Sequence, residues 1–168
     1  EYRELDAFGN SNIFEVGLSY PIILQTDQSL YIKIKYFDKD LQDYIFKEKY
    51  EEKEINSYKL SLDYEKNYYL GNLPSVFLSY LDFTTGNLKT VSGLQDGRYN
   101  KIEAYLYNEI SFNHIFSLNT SLTAQKVLTK DKNLDGSEQL SLGGVYGVKV
   151  YPYNEQSGEN GYILSNEI

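Results

Sequence analysis

Ser57-Tyr58-Lys59-Leu60-Ser61-Leu62-Asp63-Tyr64-Glu65 alternates without a fault. Successive side chains of an extended chain point to opposite faces, so Tyr58, Leu60, Leu62 and Tyr64 share one face. Ser57, Lys59, Ser61, Asp63 and Glu65 share the other. A helix would smear both groups around its circumference; only a strand separates them cleanly. Working outward, the pattern recurs. Leu30, Ile32, Ile34 and Tyr36 oppose Tyr31, Lys33, Lys35 and Phe37. Phe14, Val16, Leu18 and Tyr20 oppose Glu15, Gly17 and Ser19. Ile102, Ala104, Leu106 and Ile110 oppose Lys101, Glu103 and Glu109. Phe116, Leu118, Thr120, Leu122 and Ala124 oppose Ser117, Asn119, Ser121, Thr123 and Gln125. Ser75–Thr85 reads as a strand of ambiguous phase, and no segment carries a helical stripe.

The connections alternate in character. Gln25–Ser29, Asn67–Pro74 and Asn113–His114 read as short turns. Phe46–Asn56, Thr84–Arg98 and Thr129–Asn160 read as long polar loops. Short turns on one side and long loops on the other, joining strands of ~10 residues or more, predict an all-β, antiparallel transmembrane β-barrel of outer-membrane type. The competing fold is a soluble β-sandwich or barrel that binds sugar or lipid. Its strands alternate too, because alternation reports one apolar face and not what covers it. About six full strands are expected, with partial ones at Glu1–Asp6 and Gly161–Ile168. An open sheet of that size leaves two edges that lipid does not tolerate, so an incomplete barrel within a larger one is expected.

Composition narrows the function classes. The chain has 168 residues, no cysteine, one histidine and a formal net charge of -8. Disulfides, thiolate chemistry and sulfur-ligated metals are removed, and the acidic balance argues against a nucleic-acid partner held through phosphates. No run of about 18 apolar residues is present, so no helix is expected to span a membrane. There are 18 Tyr and 8 Phe but no Trp. Aromatic residues favour strands, and tyrosine suits a boundary where one end is apolar and the other wet.

One stretch is not explained by composition: Ser137-Glu138-Gln139-Leu140-Ser141-Leu142-Gly143-Gly144-Val145-Tyr146-Gly147-Val148-Lys149-Val150-Tyr151-Pro152, continuing to Ser157-Gly158-Glu159-Asn160-Gly161-Tyr162. Val148–Tyr151 reads as a short extended run that throws Lys149 and Tyr151 to one side. Pro152 closes it. Gly143, Gly144 and Gly147 permit backbone approaches that a Cβ blocks, and Gly158 and Gly161 allow the return. The string resembles the signature of the two-partner secretion outer-membrane translocators (TpsB, of the haemolysin activator or haemagglutinin transporter type), members of the BamA superfamily. Their pattern runs close to S-E-Q-x-x-L-G-G-x-x-x-V-R-G/A-Y-P, then E-x-x-G-D-x-G-Y.

The resemblance implies a non-enzymatic channel in the bacterial cell outer membrane, with outer-membrane lipid around it and no cofactor. It implies a sixteen-stranded barrel preceded by POTRA domains of the same full-length chain. Residues 1–168 would be part of that one transmembrane domain, from the end of the fifth strand to the start of the twelfth. Residues 129–160 would be a long loop folded into the lumen, with the POTRA domains and remaining strands outside this chain. The implied partner is a secreted exoprotein substrate: a large unfolded haemolysin, adhesin or contact-dependent toxin. A BamA-like assembly factor is the alternative within the superfamily. The resemblance makes Val148, Lys149, Tyr151 and Pro152 the loop motif, with Lys149 the lumen anchor. Gly143, Gly144, Gly147, Gly158 and Gly161 become its backbone-permissive positions, and Glu138, Glu159 and Glu167 its acids. The chain departs from the pattern in having Lys149 where the family has Arg, and Val150 where it has a small residue. Lysine is a point charge without the bidentate fork of arginine. The Gly-Asp pair reads Gly158-Glu159, which keeps the acid.

Other signals are set aside. Asp131-Lys132-Asn133-Leu134-Asp135-Gly136 matches half of a calcium-binding EF-hand loop, but its twelfth position is Leu142 where a bidentate glutamate is required. No metal is expected. His114 stands alone, so no histidine cluster or catalytic triad can be assembled around it within this chain.

Overall fold

The computed structural model describes residues 8–46, 48–91, 96–129, 134–143 and 156–168. Six long strands follow one another: β1 (Phe8–Leu24), β2 (Gln28–Ile45), β3 (Glu48–Leu70), β4 (Leu73–Thr90), β5 (Gly97–Ser111) and β6 (Ser117–Val127). Two short ones, β7 (Leu140–Ser141) and β8 (Ser157–Gly158), come before β9 (Gly161–Glu167). All neighbours are antiparallel, in the order β1-β2-β3-β4-β5-β6-β9, and β7 pairs with β8 apart from that sheet. Among the described residues no helix is long and apolar enough to cross a membrane.

The alternation sets the two faces. On one, Leu18, Ile34, Leu60, Phe83 and Ile102 form a row across five strands, and Tyr20, Ile32, Leu62, Leu81 and Ala104 form the next. These side chains are uncovered: Leu18 is 83% exposed and Leu81 50%. No second sheet packs over them among the described residues, so the soluble sandwich is set aside; a water-soluble fold would bury this surface. Tyrosines mark the borders of the apolar band. Tyr36 donates its hydroxyl to Asn56 Oδ1 at 2.7 Å, and Tyr68 donates to Asn108 Oδ1 at 2.7 Å near the opposite border. Each ring thus lies on the apolar side with its hydroxyl on the polar side.

The other face is polar and ionic. Lys35, Lys59, Thr84 and Lys101 stand in one row; Lys33, Ser61, Asp82 and Glu103 stand in the next. The ambiguous phase of Ser75–Thr85 is thereby resolved: Tyr80, Asp82 and Thr84 join the polar face, Leu81 and Phe83 the apolar one.

The turns differ from expectation in one respect. Phe46–Asn56 and Thr84–Arg98 are not long loops. β2 runs to Ile45 and β3 starts at Glu48, with Phe46 in a turn at φ +52°, and β4 continues to Thr90 with β5 starting at Gly97. Most residues of these segments are polar, so the alternation fades while the ladder of backbone hydrogen bonds continues. On the opposite side Gly71-Asn72 closes β3 onto β4, with Gly71 at φ +64°, the left-handed geometry that tight two-residue hairpins favour. His114 lies in the β5–β6 turn, as expected. The partial strand expected at Glu1–Asp6 lies outside the described residues.

Candidate functional site: a buried ionic hub under the long loop

The connection from β6 to β9 returns over the polar face of the sheet, and its two ends meet there. Leu140 pairs with Gly158 and Ser141 with Ser157, and Leu142 N donates to Gln156 O at 2.9 Å. Asp135 caps a single 3-10 turn, Gly136–Glu138, by accepting from Ser137 N at 2.9 Å and from the Ser137 hydroxyl at 2.7 Å. That turn aims Asp135 and Glu138 at the wall. Both are buried, at 6% and 7% exposure.

Burying two carboxylates is costly unless each meets cations and donors. Three strands supply them. Lys39 of β2 reaches Glu138 Oε1 at 2.5 Å, and Lys101 of β5 reaches Glu138 Oε2 at 3.0 Å. Lys53 of β3 reaches Asp135 Oδ2 at 3.0 Å. Lys101 Nζ also donates to Glu138 O at 2.9 Å, and Gln125 Nε2 of β6 donates to Glu138 O at 3.2 Å and to Glu159 O at 3.1 Å. Burial pushes the Glu138 carboxyl up, but Lys101 and then Lys39 outweigh it and hold it below the usual glutamate range. Asp135 follows the same rule: burial raises it, while the Ser137 bonds and Lys53 bring it below the ordinary aspartate value.

An apolar floor lies beside the ions. Leu134 packs with Ile55, Leu88 and Tyr99, all nearly or fully buried, and Leu41 and Val127 border the cluster. Glu159 accepts from Leu134 N, joining the outgoing and returning arms of the loop. Asn160 Oδ1 accepts from Val127 N at 2.7 Å where β6 ends. The hub therefore ties the loop to β2, β3, β5 and β6 together.

The residues expected to matter fall into two groups. Glu138, Gly143, Gly158, Glu159 and Gly161 stand at the base of the loop, and the first four lie close to the β7–β8 pair. Glu167 ends β9 across from Asn119, far from this hub. Gly144, Gly147, Val148, Lys149, Tyr151 and Pro152 lie outside the described residues. Sequence reasoning placed Lys101 and Gln125 on the polar face but did not connect them to the loop. It missed Lys39, Lys53 and Asp135 as a set, because Lys39 and Glu138 are separated by 99 residues. Among the described residues no group of three or more His, Cys, Asp or Glu is placed to hold a metal ion.

Below the hub the wall neutralises itself. Lys33 pairs with Asp63, Lys35 with Glu15 at 2.6 Å, and Lys59 with Asp82 at 3.1 Å and Glu103 at 3.6 Å. Tyr80 and Tyr105 stack beside these ions with ring centroids 5.5 Å apart. The surface is polar, mixed in charge and partly aromatic.

Comparison with known proteins agrees with the geometry. The family described as haemolysin secretion/activation protein ShlB/FhaC/HecB matches residues 1–168. No curated protein sequence matches the chain. Among solved structures, CdiB from Acinetobacter baumannii superimposes with a TM-score of 0.74 at 20% identity, over 95% of this chain and 28% of that one. The chain thus spans about a quarter of the length of that neighbour, and the likeness is one of fold.

Proposed function

We propose, from the premise that this chain belongs to the haemolysin secretion/activation family ShlB/FhaC/HecB, that it forms part of the wall and inner loop of a channel for protein export. It is a portion of an antiparallel transmembrane β-barrel of the outer membrane. The cargo would be a large unfolded exoprotein, a haemolysin, adhesin or contact-dependent toxin, moving from periplasm to surface. POTRA domains of the full-length chain would deliver it.

The observation that carries this reading is the ionic hub. A loop whose base is fixed on the polar face by Glu138 and Asp135 would occupy the space a passing polypeptide needs. The polar wall offers donors, acceptors and both signs of charge to an extended chain, and transport of this kind requires no bond chemistry. Lys149, Tyr151 and Pro152 would sit at the far end of the loop. There Lys149 would serve as a cation for a carboxylate on the opposite wall, favouring the charged pair and fixing the tip. Gly143, Gly144, Gly147, Gly158 and Gly161 would let the two arms approach closely.

The test is Lys149→Ala in the full-length protein. Secretion of the exoprotein should fall severalfold or more while insertion into the outer membrane is retained, and Lys149→Arg should secrete normally. Undiminished release by the alanine variant would overturn the anchoring role.

A further inference from the structure

Lys39, Lys53 and Lys101 differ from the other lysines of the wall in what neutralises them. Lys33, Lys35 and Lys59 each meet acids carried by the sheet itself. Lys39 meets Glu138, which the loop brings in; Lys101 shares that carboxylate, and Lys53 meets Asp135 of the same loop. Lys53 has two wall acids as well, Glu51 at 3.3 Å and Asp43 at 3.8 Å, and Lys101 has Glu103 at 3.3 Å. If the loop base leaves, Lys39 and Lys101 are left facing a single carboxylate, Glu103. That acid is already shared with Lys59, so the uncovered lysines form a cationic patch that attracts a replacement anion.

The surroundings state what kind of anion fits. The loop places Leu134 on the apolar floor of Ile55, Leu88 and Tyr99, then Asp135 on Lys53, then Glu138 between Lys39 and Lys101. Lys101 Nζ and Gln125 Nε2 also donate to a backbone carbonyl of this segment. A free phosphate would use the lysines but neither the apolar floor nor the donors aimed at a peptide carbonyl. A stretch of polypeptide with an apolar residue followed by acids uses all three.

We propose that this lysine-lined cradle is a docking site for acidic segments of the polypeptide in transit, occupied in the resting protein by the loop's own Leu134–Glu138. The loop segment stands in for cargo, and cargo acids exchange with Asp135 and Glu138 on the same cations. This rests on the export reading for the identity of the occupant; the chemistry of the site rests on the hub alone.

The experiment uses full-length protein in detergent and a fluorescein-labelled peptide, Leu-Asp-Gly-Ser-Glu, that copies Leu134–Glu138. Its amide counterpart, Leu-Asn-Gly-Ser-Gln, is the control. Glu138→Gln weakens the resident segment and should raise affinity for the acidic peptide at least tenfold over the unaltered protein, by fluorescence anisotropy. Asp135→Asn, which leaves Glu138 in place, should raise it severalfold. Adding Lys39→Gln to either variant should abolish the gain, and the amide peptide should show none. Equal binding of acidic and amide peptides, or a gain that survives Lys39→Gln, would overturn the inference. Ion conductance in planar bilayers separates the two readings. Selective peptide binding by a protein that forms no pore would support the cradle and count against the channel, while a conducting pore without selectivity for the acidic peptide would do the reverse.

Discussion

Gly86 faces Tyr99 directly across the β4–β5 ladder, and the Tyr99 ring lies where a Cβ on residue 86 would have to be. The ring belongs to the apolar floor that receives Leu134, so Gly86 sets the position of the loop although it never touches it. Gly86→Val should overpack this point and cost about 1–3 kcal/mol. The expected outcome is a lower temperature for the mobility shift of the folded barrel on semi-native gels, and Tyr99→Ala in the same chain should relieve part of it. Glu138 gives a prediction with a sign. Its native carboxyl is held below the ordinary glutamate range, so its contribution to holding the loop is complete above that range. It is lost as the pH falls below the ordinary value of ~4.3 and through the native one. Protease sensitivity of the loop should therefore rise in acid, and Glu138→Gln should be sensitive at neutral pH and keep only the weaker pH dependence that Asp135 supplies. The sequence offered Glu138 as part of a motif, yet not its role. Lys39, Lys101 and Gln125 are scattered over three strands, and their meeting depends on sheet register, which a one-residue slip would reverse.

At the scale of the strand, alternation was enough to assign faces. Tyr58 to Tyr64 and Ile102 to Ile110 lie on the faces their spacing predicts. What it could not locate was where strands stop. Between Phe46 and Asn56, and again between Thr84 and Arg98, most residues are polar, and this read as loop. In the fold residues 48–56 and 84–90 continue the ladders, because pairing needs only backbone groups while alternation needs an apolar neighbour on one side. The β2–β3 hairpin thus projects from the membrane as a paired ribbon. The two faces of β3 should answer differently to the same substitution. Leu60→Arg places a charge in the lipid-facing band and should cost about 2–4 kcal/mol. Ser61→Arg, one residue on, points to the wet wall and should cost distinctly less. Equilibrium folding into lipid vesicles under urea measures both, and equal costs would contradict the assignment of faces.

At the scale of the molecule, the sheet ends on β1 and β9, each with one side not paired by the strands described. A transmembrane barrel has no edges in lipid, so these strands require neighbours from the rest of the full-length wall. Residues 1–168 expressed alone should accordingly need detergent and should not give a monodisperse, detergent-free monomer; sedimentation in buffer decides it. The membership of the chain was legible in its glycine-rich motif, whose spacing no general rule of strand or turn would produce. The partner proposed for Lys149 was not, since spacing within the motif cannot name it.

The hub has a last consequence, for the order of assembly. Glu138 and Lys39 lie 99 residues apart, and between them run the end of β2 and the whole of β3, β4, β5 and β6. Their contact closes one of the longest circuits in the chain, and such circuits close late in folding. Until β2 and β5 stand at their final separation, with every intervening strand in register, Glu138 finds at most one of its two lysines. A strand missing or slipped by one residue would leave a carboxylate stranded in a dry place. The loop therefore acts as an inspector of workmanship: it settles only onto a wall that has been built correctly, and a faulty wall leaves it loose for proteases to find.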